Sequence, residues 1–384
     1  MSVVIKYLLI GTIFVSSLSA ERSTAYMFTN LDGRTLKADI IAATKSAVTV
    51  RRSSDRRTFT LSIDLLIPED AVFIQRWLSL KQVEKELPAN NSIGKWPRKV
   101  KPSDYTIEIV REDNATETYI YRTPHFEFHS NVKLARKVVR EFSQIFESTF
   151  LAVAELPLNF NPDLPKDTRF ITQIFETREQ YIASGGVPNS GGVYFLKDRK
   201  IMLPLPQLGV KKTSSSYTID ETKENSMLIH EITHQVTHDW LSKLPVWASE
   251  GIAEYLEHVP YDRGAFRFDQ FEVSEALHWN NYRLRGLEML MTMSKETWSQ
   301  TLAKDFRKAR SNYTSAFILY YYFCHFELNQ ERRPGLLYNY LRALEAGEHE
   351  REAIRILLNE RTYKELEEEV KRAYKREDID IEFD

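Results

Sequence analysis

The alternation of apolar and polar positions divides this chain into stretches of different period. Between residues 25 and 67, short runs such as "KADIIAA", "AVTVRR" and "TFTLSIDLLI" alternate two by two. They are separated by "LDG", "ATKS" and "SSDRR", which predicts strands joined by turns. A brief helix is predicted after Pro68. The stretch 87–104, "LPANNSIGKWPRKVKPSD", has no apolar period and reads as a linker. Beyond it, "YTIEIVREDNATETYIYRT" predicts a hairpin, "HFEFHS" a further strand and "FITQIF" a buried strand. Between these last two, a helix is predicted over 131–153, with an apolar stripe through Val132, Leu134, Val138, Phe142 and Phe146. A short helix "REQYIAS" follows, then "SGGVPNSGGVYF", which lacks the strand-to-helix setting of a nucleotide loop and reads as a flexible loop. "VYFLKDRKIMLPL" predicts a hairpin around "KDRK" whose second strand forms a sheet edge able to add a peptide as an extra strand. From about Glu221 onward the pattern is helical, and Thr362 with Glu365 marks a capping box for the last helix. The expected fold is therefore α+β, with a small β unit, then a sheet, then helices.

The densest chemistry lies at the start of the helical region, in "IHEITHQVTHDWLSKLPVWASEGIAEY", Ile229 to Tyr255. His230, His234 and His238 recur every four residues and would share one helix face. They cannot all hold one ion, because His230 and His238 are separated by roughly 12 Å of helix rise, whereas zinc ligands stand about 2 Å from the metal. His230 and His234, one turn apart, can converge, with Glu231 offset between them as a general base. That is the logic of H-E-x-x-H. A third histidine through H-E-x-x-H-x-x-G-x-x-H is closed, since Thr237 and Trp240 occupy those slots. The other route is a glutamate from the next helix. Pro245 ends the first helix's reach, and "VWASEGIAEY" predicts a second helix carrying Glu250. Glu254, four residues on, is placed to accept from the outer nitrogen of a ligand histidine. His238 and Glu257 read as surface or rim residues.

This pairing resembles the gluzincin metallopeptidases, where H-E-x-x-H is followed by a helix with a ligand glutamate, often within W-x-x-E-G-x-A. Trp247 through Ala253 fit that pattern. The resemblance implies one zinc per chain on His230, His234 and Glu250, with Glu231 as the base acting on a zinc-activated water. It also implies a two-lobe arrangement, sheet then helices, over roughly 105–380. In the aminopeptidase branch a tyrosine on a later helix donates to the oxyanion. "NYTSAFILYYYF" puts Tyr313 in such a run, with Ser315 where glycine is usual. Tyr320, Tyr321 and Tyr322 read as core, and His278, His325 and His238 are weaker rivals for the donor. That branch's G-x-M-E-N run has no counterpart in "RKIMLPLPQLG", so endopeptidase or narrow processing activity is at least as well supported as exopeptidase activity. The whole chain is similar to secreted bacterial peptidase-like proteins that carry the zinc segment and an "RTYKELEEEV"-like ending.

Residues 21–86 resemble the SLA-homology module, an SH3-like small β-barrel, through "TNLDGRTLKADII", "AVTVRR" and "LSIDLLIPEDAVFIQRW". The first twenty residues, "MSVVIKYLLIGTIFVSSLSA", join one early lysine, an apolar run and small residues ending in Ala20, as in a secretory signal peptide. The expected division is thus signal peptide 1–20, β module 21–86, linker 87–104 and metallopeptidase domain 105–384. A net charge of -2 gives no reason to expect nucleic acid. The single cysteine, Cys324, excludes an internal disulfide, so stability must come from the core. The expected protein is a secreted or periplasmic zinc peptidase acting on a peptide or protein substrate, with no stable membrane span once the signal is removed. The competing expectation is a catalytically inactive, zinc-stabilised protein that binds a peptide or cell wall. Nothing in the pattern sets an oligomeric state.

Overall fold

The computed structural model describes residues 26–86 and 94–384, apart from 163, 166, 189, 215, 221–224, 278–280 and 329–334. The expected signal peptide and His278 lie outside the described residues. The chain is a mixed α+β protein in two compact units, divided between Lys81 and Gln82.

In the first unit, β1 (Tyr26–Thr29), β2 (Thr35–Ala43), β3 (Ala47–Arg52) and β4 (Thr58–Ser62) form an antiparallel meander in the order β1-β2-β3-β4. The alternation read from sequence sends Phe28, Ala38, Val48 and Val50 to one buried face. That face is closed by Leu66 and by Ile74 of α1 (Pro68–Glu86). The expected closed barrel is not formed among the described residues, because β4 does not pair with β1. After a 3₁₀ turn at Ile63–Leu65 the chain returns to β1 by two backbone bonds, from Leu31 N to Leu65 O and from Ile67 N to Thr29 O. There Leu66 makes an isolated antiparallel bridge with Asn30 and does not extend into a closing strand.

The second unit is built on a six-stranded mixed sheet in the order β5-β6-β7-β8-β10-β9. Its strands are β5 (Glu108–Asp113), β6 (Thr118–Arg122), β7 (Phe126–Ser130), β8 (Phe170–Phe175), β9 (Val193–Phe195) and β10 (Lys200–Pro204). β7, β8 and β10 run parallel; β9 turns back antiparallel on β10. The sequence expectation for this edge is reversed: β9, the first strand of the hairpin, lies at the edge, and β10 is enclosed between β8 and β9. β10 reads as apolar along its length because both of its faces are covered, Ile201 and Leu203 joining the main core and Met202 packing with Phe175 and Tyr181.

α2 (Arg136–Glu155) covers one face of the sheet, packing Phe142 and Phe146 on Phe128 and Phe126. It starts five residues later than its apolar stripe suggests. Ser130 Oγ bonds the Val132 backbone, and the Tyr121 hydroxyl accepts from Leu134 N at 2.7 Å, so local polar bonds hold 131–135 out of the helix. The glycine-rich stretch after α3 (Arg178–Ala183) is a packed loop, not a loose one. The Tyr181 hydroxyl accepts from Val187 N and meets Ser190 Oγ, and a Cβ on Gly186 would stand 2.4 Å from the Tyr181 ring.

A small hairpin, β11 (Val210–Lys212) and β12 (Tyr217–Ile219), leads to α4 (Ser226–Val236) and α5 (Val246–His258). Two short pairs follow the helices, β13 (Tyr261–Asp262) with β14 (Ala265–Phe266) and β15 (Asn281–Leu284) with β16 (Asp380–Phe383). The later helices are α6 (Val273–Ala276), α7 (Leu287–Met291), α8 (Lys295–Lys304), α9 (Phe306–Tyr321), α10 (Gly335–Glu345), α11 (Glu350–Leu358) and α12 (Tyr363–Lys375). The capping box at Thr362 and Glu365 is present at the start of α12. Residues at the end of the expected linker belong to this unit's core: Val100 is buried and bridges Phe266, and Trp96 donates to Cys324 O at 3.1 Å. No helix among the described residues is long and apolar enough to cross a membrane.

Candidate metal centre

α4 buries Leu228, Ile229, Ile232 and Val236 and leaves Met227, His230, Glu231 and His234 as a less buried stripe at i, i+3, i+4 and i+7. The helix then stops. Thr237 is its C-cap, and a 3₁₀ turn over His238–Trp240 is anchored by the Trp240 indole on Phe160 O. His238 is therefore carried off the helix and off the face shared by His230 and His234. Its Nδ1 meets the Tyr194 hydroxyl at 2.5 Å.

Pro245 restarts the chain as α5, whose Glu250, Glu254 and Glu257 fall at i, i+4 and i+7 on one face. How near α5 can come to α9 is set by Gly251. A Cβ there would stand 3.0–3.1 Å from the Tyr320 side chain and the Ala316 carbonyl. The glycine that follows the expected ligand glutamate thus permits the close helix crossing that brings α9 to the site.

Three donors meet where α4 and α5 face each other. His230 Nε2 lies 3.1 Å from His234 Nε2 and 3.3 Å from Glu250 Oε2, and His234 Nε2 lies 3.5 Å from Glu250 Oε2. Ligand atoms held about 2.0–2.1 Å from a tetrahedral zinc ion stand about 3.3–3.4 Å from one another. The triangle matches that edge length, and the donor set of two imidazoles and one carboxylate suits zinc. His230, His234 and Glu250 form a group that could hold a metal ion. Glu231 is not part of it. Its Oε2 accepts from the Tyr194 backbone N–H at 2.8 Å, which fixes the carboxylate against edge strand β9.

The outer nitrogen of His230 has a partner different from the one expected. Glu257 Oε2 lies 3.0 Å from His230 Nδ1, within hydrogen-bond distance, whereas Glu254 Oε1 lies at 3.7 Å. Glu257, read from sequence as a rim residue, is therefore the carboxylate within reach of the ring, three residues past Glu254 on α5. Glu254 still lies close enough to complete a second group with His230 and Glu257. His234 Nδ1, by contrast, is buried with no partner among the described residues.

The charges sort these groups. Burial works against ionised His230, but Glu250 and Glu257 outweigh it and raise its pKa well above the ordinary value. Burial alone would raise Glu250; the adjacent imidazoles of His234 and His230 instead hold it far below the carboxylate range. Glu254 is pushed up to about 7, by burial and by neighbouring Glu257 and Glu250 against the pull of His230. Glu257 is also opposed by burial, yet its bond to His230 holds it below its ordinary value. The two neighbouring carboxyls are thus driven apart, Glu254 toward the protonated form and Glu257 toward the charged one.

The centre opens into a cleft of about 890 Å³, lined by His230, Glu231, Glu254 and Glu257 on one side and by α9 on the other. Tyr313 of α9 lines it, with its ring 6.4 Å from that of His230 and edge-on to Trp298 at 5.1 Å. Burial and the Glu250 charge raise its hydroxyl pKa, so it keeps its proton and can donate. Ser315, the departure from the usual glycine, is buried on the far side, accepting from Arg285 N and donating to Ser311 O. Asn312, in the sequon "NYT", is likewise buried and inaccessible to a glycan. Tyr320, Tyr321 and Tyr322 are buried, as expected of core residues. His325 lies under Trp96 and against the Tyr255 hydroxyl.

No protein-family model, curated protein or solved structure matches this chain.

Proposed function

We propose that the second unit is a gluzincin-like zinc peptidase and that His230, His234 and Glu250 are its ligands. The observation that carries this reading is the triangle of Nε2, Nε2 and Oε2 atoms, 3.1–3.5 Å on a side, with Glu231 excluded from it and pinned beside it. A purely structural ion needs no carboxylate held free at its side. When bound, zinc would supply a Lewis acid that polarises a carbonyl and acidifies water next to it. Glu231 keeps one oxygen on the Tyr194 amide and presents the other to the cleft, where it takes a proton from water and returns it to the leaving amine. The Tyr313 hydroxyl donates to the oxygen on which negative charge develops. Glu257 holds the His230 ring in the orientation that aims Nε2 at the centre. β9, at the open sheet edge beside Glu231, is the strand along which an extended peptide would lie.

The first unit, in the same reading, is an SH3-like module in a variant that leaves the sheet open, and the protein is secreted or periplasmic. Glu231→Gln tests the mechanism. The variant is expected to bind about one zinc per chain and to lose peptide hydrolysis, because an amide cannot serve as base. Hydrolysis at the wild-type rate would defeat the peptidase reading. A wild-type chain that binds zinc but cuts no member of a peptide library would favour the inactive, zinc-stabilised binding protein.

A further inference from the structure

The outer wall of the cleft carries charge that the chemistry at its floor does not use. α9 begins there, and Arg307 and Arg310 line the cleft together with exposed Phe306, Leu302 of α8 and Met227 of α4. Other cations nearby are already paired. Arg283 Nε meets Asp384 at 2.9 Å, and Lys308 meets Asp305 at 3.5 Å. Arg307 and Arg310 have no carboxylate within ion-pair distance among the described residues. The carboxylates of the floor are engaged: Glu250 with both ligand histidines, Glu257 with His230, and Glu231 with the Tyr194 amide. Among the described residues, the mouth thus offers a ligand two guanidinium groups without a carboxylate partner beside three exposed apolar side chains.

Building on the peptidase reading, we propose that the cleft selects peptides with a carboxylate one to three residues from the bond that is cut, held by Arg307 and Arg310. The spacing follows from α9. Arg310 precedes Tyr313 by three residues and Arg307 by six, roughly 4.5 and 9 Å of helix rise. An extended peptide advances about 3.3 Å per residue, so the arginines reach its first to third residue from the reacting carbonyl. Guanidinium groups recognise carboxylates through paired, charge-assisted hydrogen bonds. Phe306, Leu302 and Met227 provide the apolar contact for the flanking residue. The carboxylate is an Asp or Glu side chain or the peptide's own C-terminus.

The test uses the full zinc-loaded chain carrying Glu231→Gln, so that binding is read without cleavage. The probes are randomised octapeptide pools with both ends blocked and a fixed central Glu, Gln or Lys, plus a Gln pool with a free C-terminal carboxylate. The Glu pool, the free-carboxylate pool or both are expected to bind about tenfold tighter than the blocked Gln pool, the Lys pool being weakest. Which carboxylate pool gains identifies the source. Arg307→Ala with Arg310→Ala should bring the pools to parity, and Arg307→Glu with Arg310→Glu should invert their order, with zinc content unchanged. Parity in the chain with both arginines, or a preference that survives their removal, overturns the proposal. Arginine-dependent binding of a pool that the chain with Glu231 does not cut would instead defeat the peptidase reading and leave the carboxylate site standing.

Discussion

His230 and His325 are both partly buried imidazoles of the second unit, and their surroundings drive them in opposite directions. Burial disfavours the charged form of each. At His230 two carboxylates, Glu250 and Glu257, reverse the effect. His325 sits in the irregular turn after α9, its Nε2 2.9 Å from the Tyr255 hydroxyl and its ring stacked on Trp96 and tilted against Tyr321. No carboxylate compensates, and its pKa falls to about 4. The contrast teaches that a buried histidine is ordinary core when only neutral groups surround it. It becomes chemistry when a second helix delivers carboxylates to it. What makes a site is the spacing of its neighbours, not the imidazole.

The harshest way to break this contrast is to remove a ligand. His230→Ala is expected to take zinc from about one per chain to none, measured by elemental analysis after dialysis, since two remaining ligands hold zinc poorly. His325→Gln should leave zinc content intact. If both variants, or neither, lost the metal, the division between site and core would be misplaced.

Next comes Tyr313→Phe. Loss of one oxyanion donor lowers kcat by about 10²–10³ in comparable sites. The ring stays packed on Trp298, so zinc content and KM should change little. A kcat within about twofold of the unsubstituted chain would remove Tyr313 from the mechanism.

A smaller effect sharpens the question of which carboxylate orients His230. Glu257→Ala is expected to weaken zinc binding by about 10–100-fold, the usual loss when the partner of a ligand histidine is removed. Glu254→Ala should cost less, because Glu254 is the more distant of the two. Competition with a chelator would rank them, and the reverse order would restore the assignment made from sequence.

That reversal shows where sequence stops being informative. The convergence of His230, His234 and Glu250 was legible because one-turn spacing and a proline-capped second helix are local properties. The stripe of Glu250, Glu254 and Glu257 was equally visible. Which of the last two reaches His230 depends on how α4 and α5 pack against each other, and no single residue type in the stripe declares that. The Tyr194 contact to Glu231 was invisible, since a backbone N–H has no residue-type signature and the strand lies 37 positions away. Strand order posed the same difficulty. The hairpin of β9 and β10 was readable, but whether β9 or β10 became the edge was decided by the parallel pairing of β10 with β8. The β15–β16 pair joins segments almost a hundred residues apart, beyond any local pattern.

The smallest expected effect belongs to the core half of the comparison. The Tyr255 hydroxyl, kept protonated by its burial, lies 2.9 Å from His325 Nε2, within hydrogen-bond distance. A second proton on the ring would place a charge among aromatic rings with no carboxylate to offset its burial. His325 therefore stays neutral in the folded chain down to about pH 4, while in the unfolded chain it titrates near 6.5. Between these values the unfolded state binds more protons, so this contribution to stability is fully present above about 6.5 and is lost as pH falls through 4. At pH 5.5 the loss amounts to about 1–1.5 kcal/mol. Glutamine can hydrogen-bond the Tyr255 hydroxyl in either sense but does not titrate, so His325→Gln should lower stability somewhat near neutrality and flatten its fall between pH 6.5 and 4. Denaturant midpoints of the two chains, taken in parallel across that range, give the difference directly. Other carboxyls titrate in the same window, but they do so equally in both chains and cancel. Parallel curves would mean that the buried imagined charge is never refused, and that His325 gains a proton in the fold as readily as outside it.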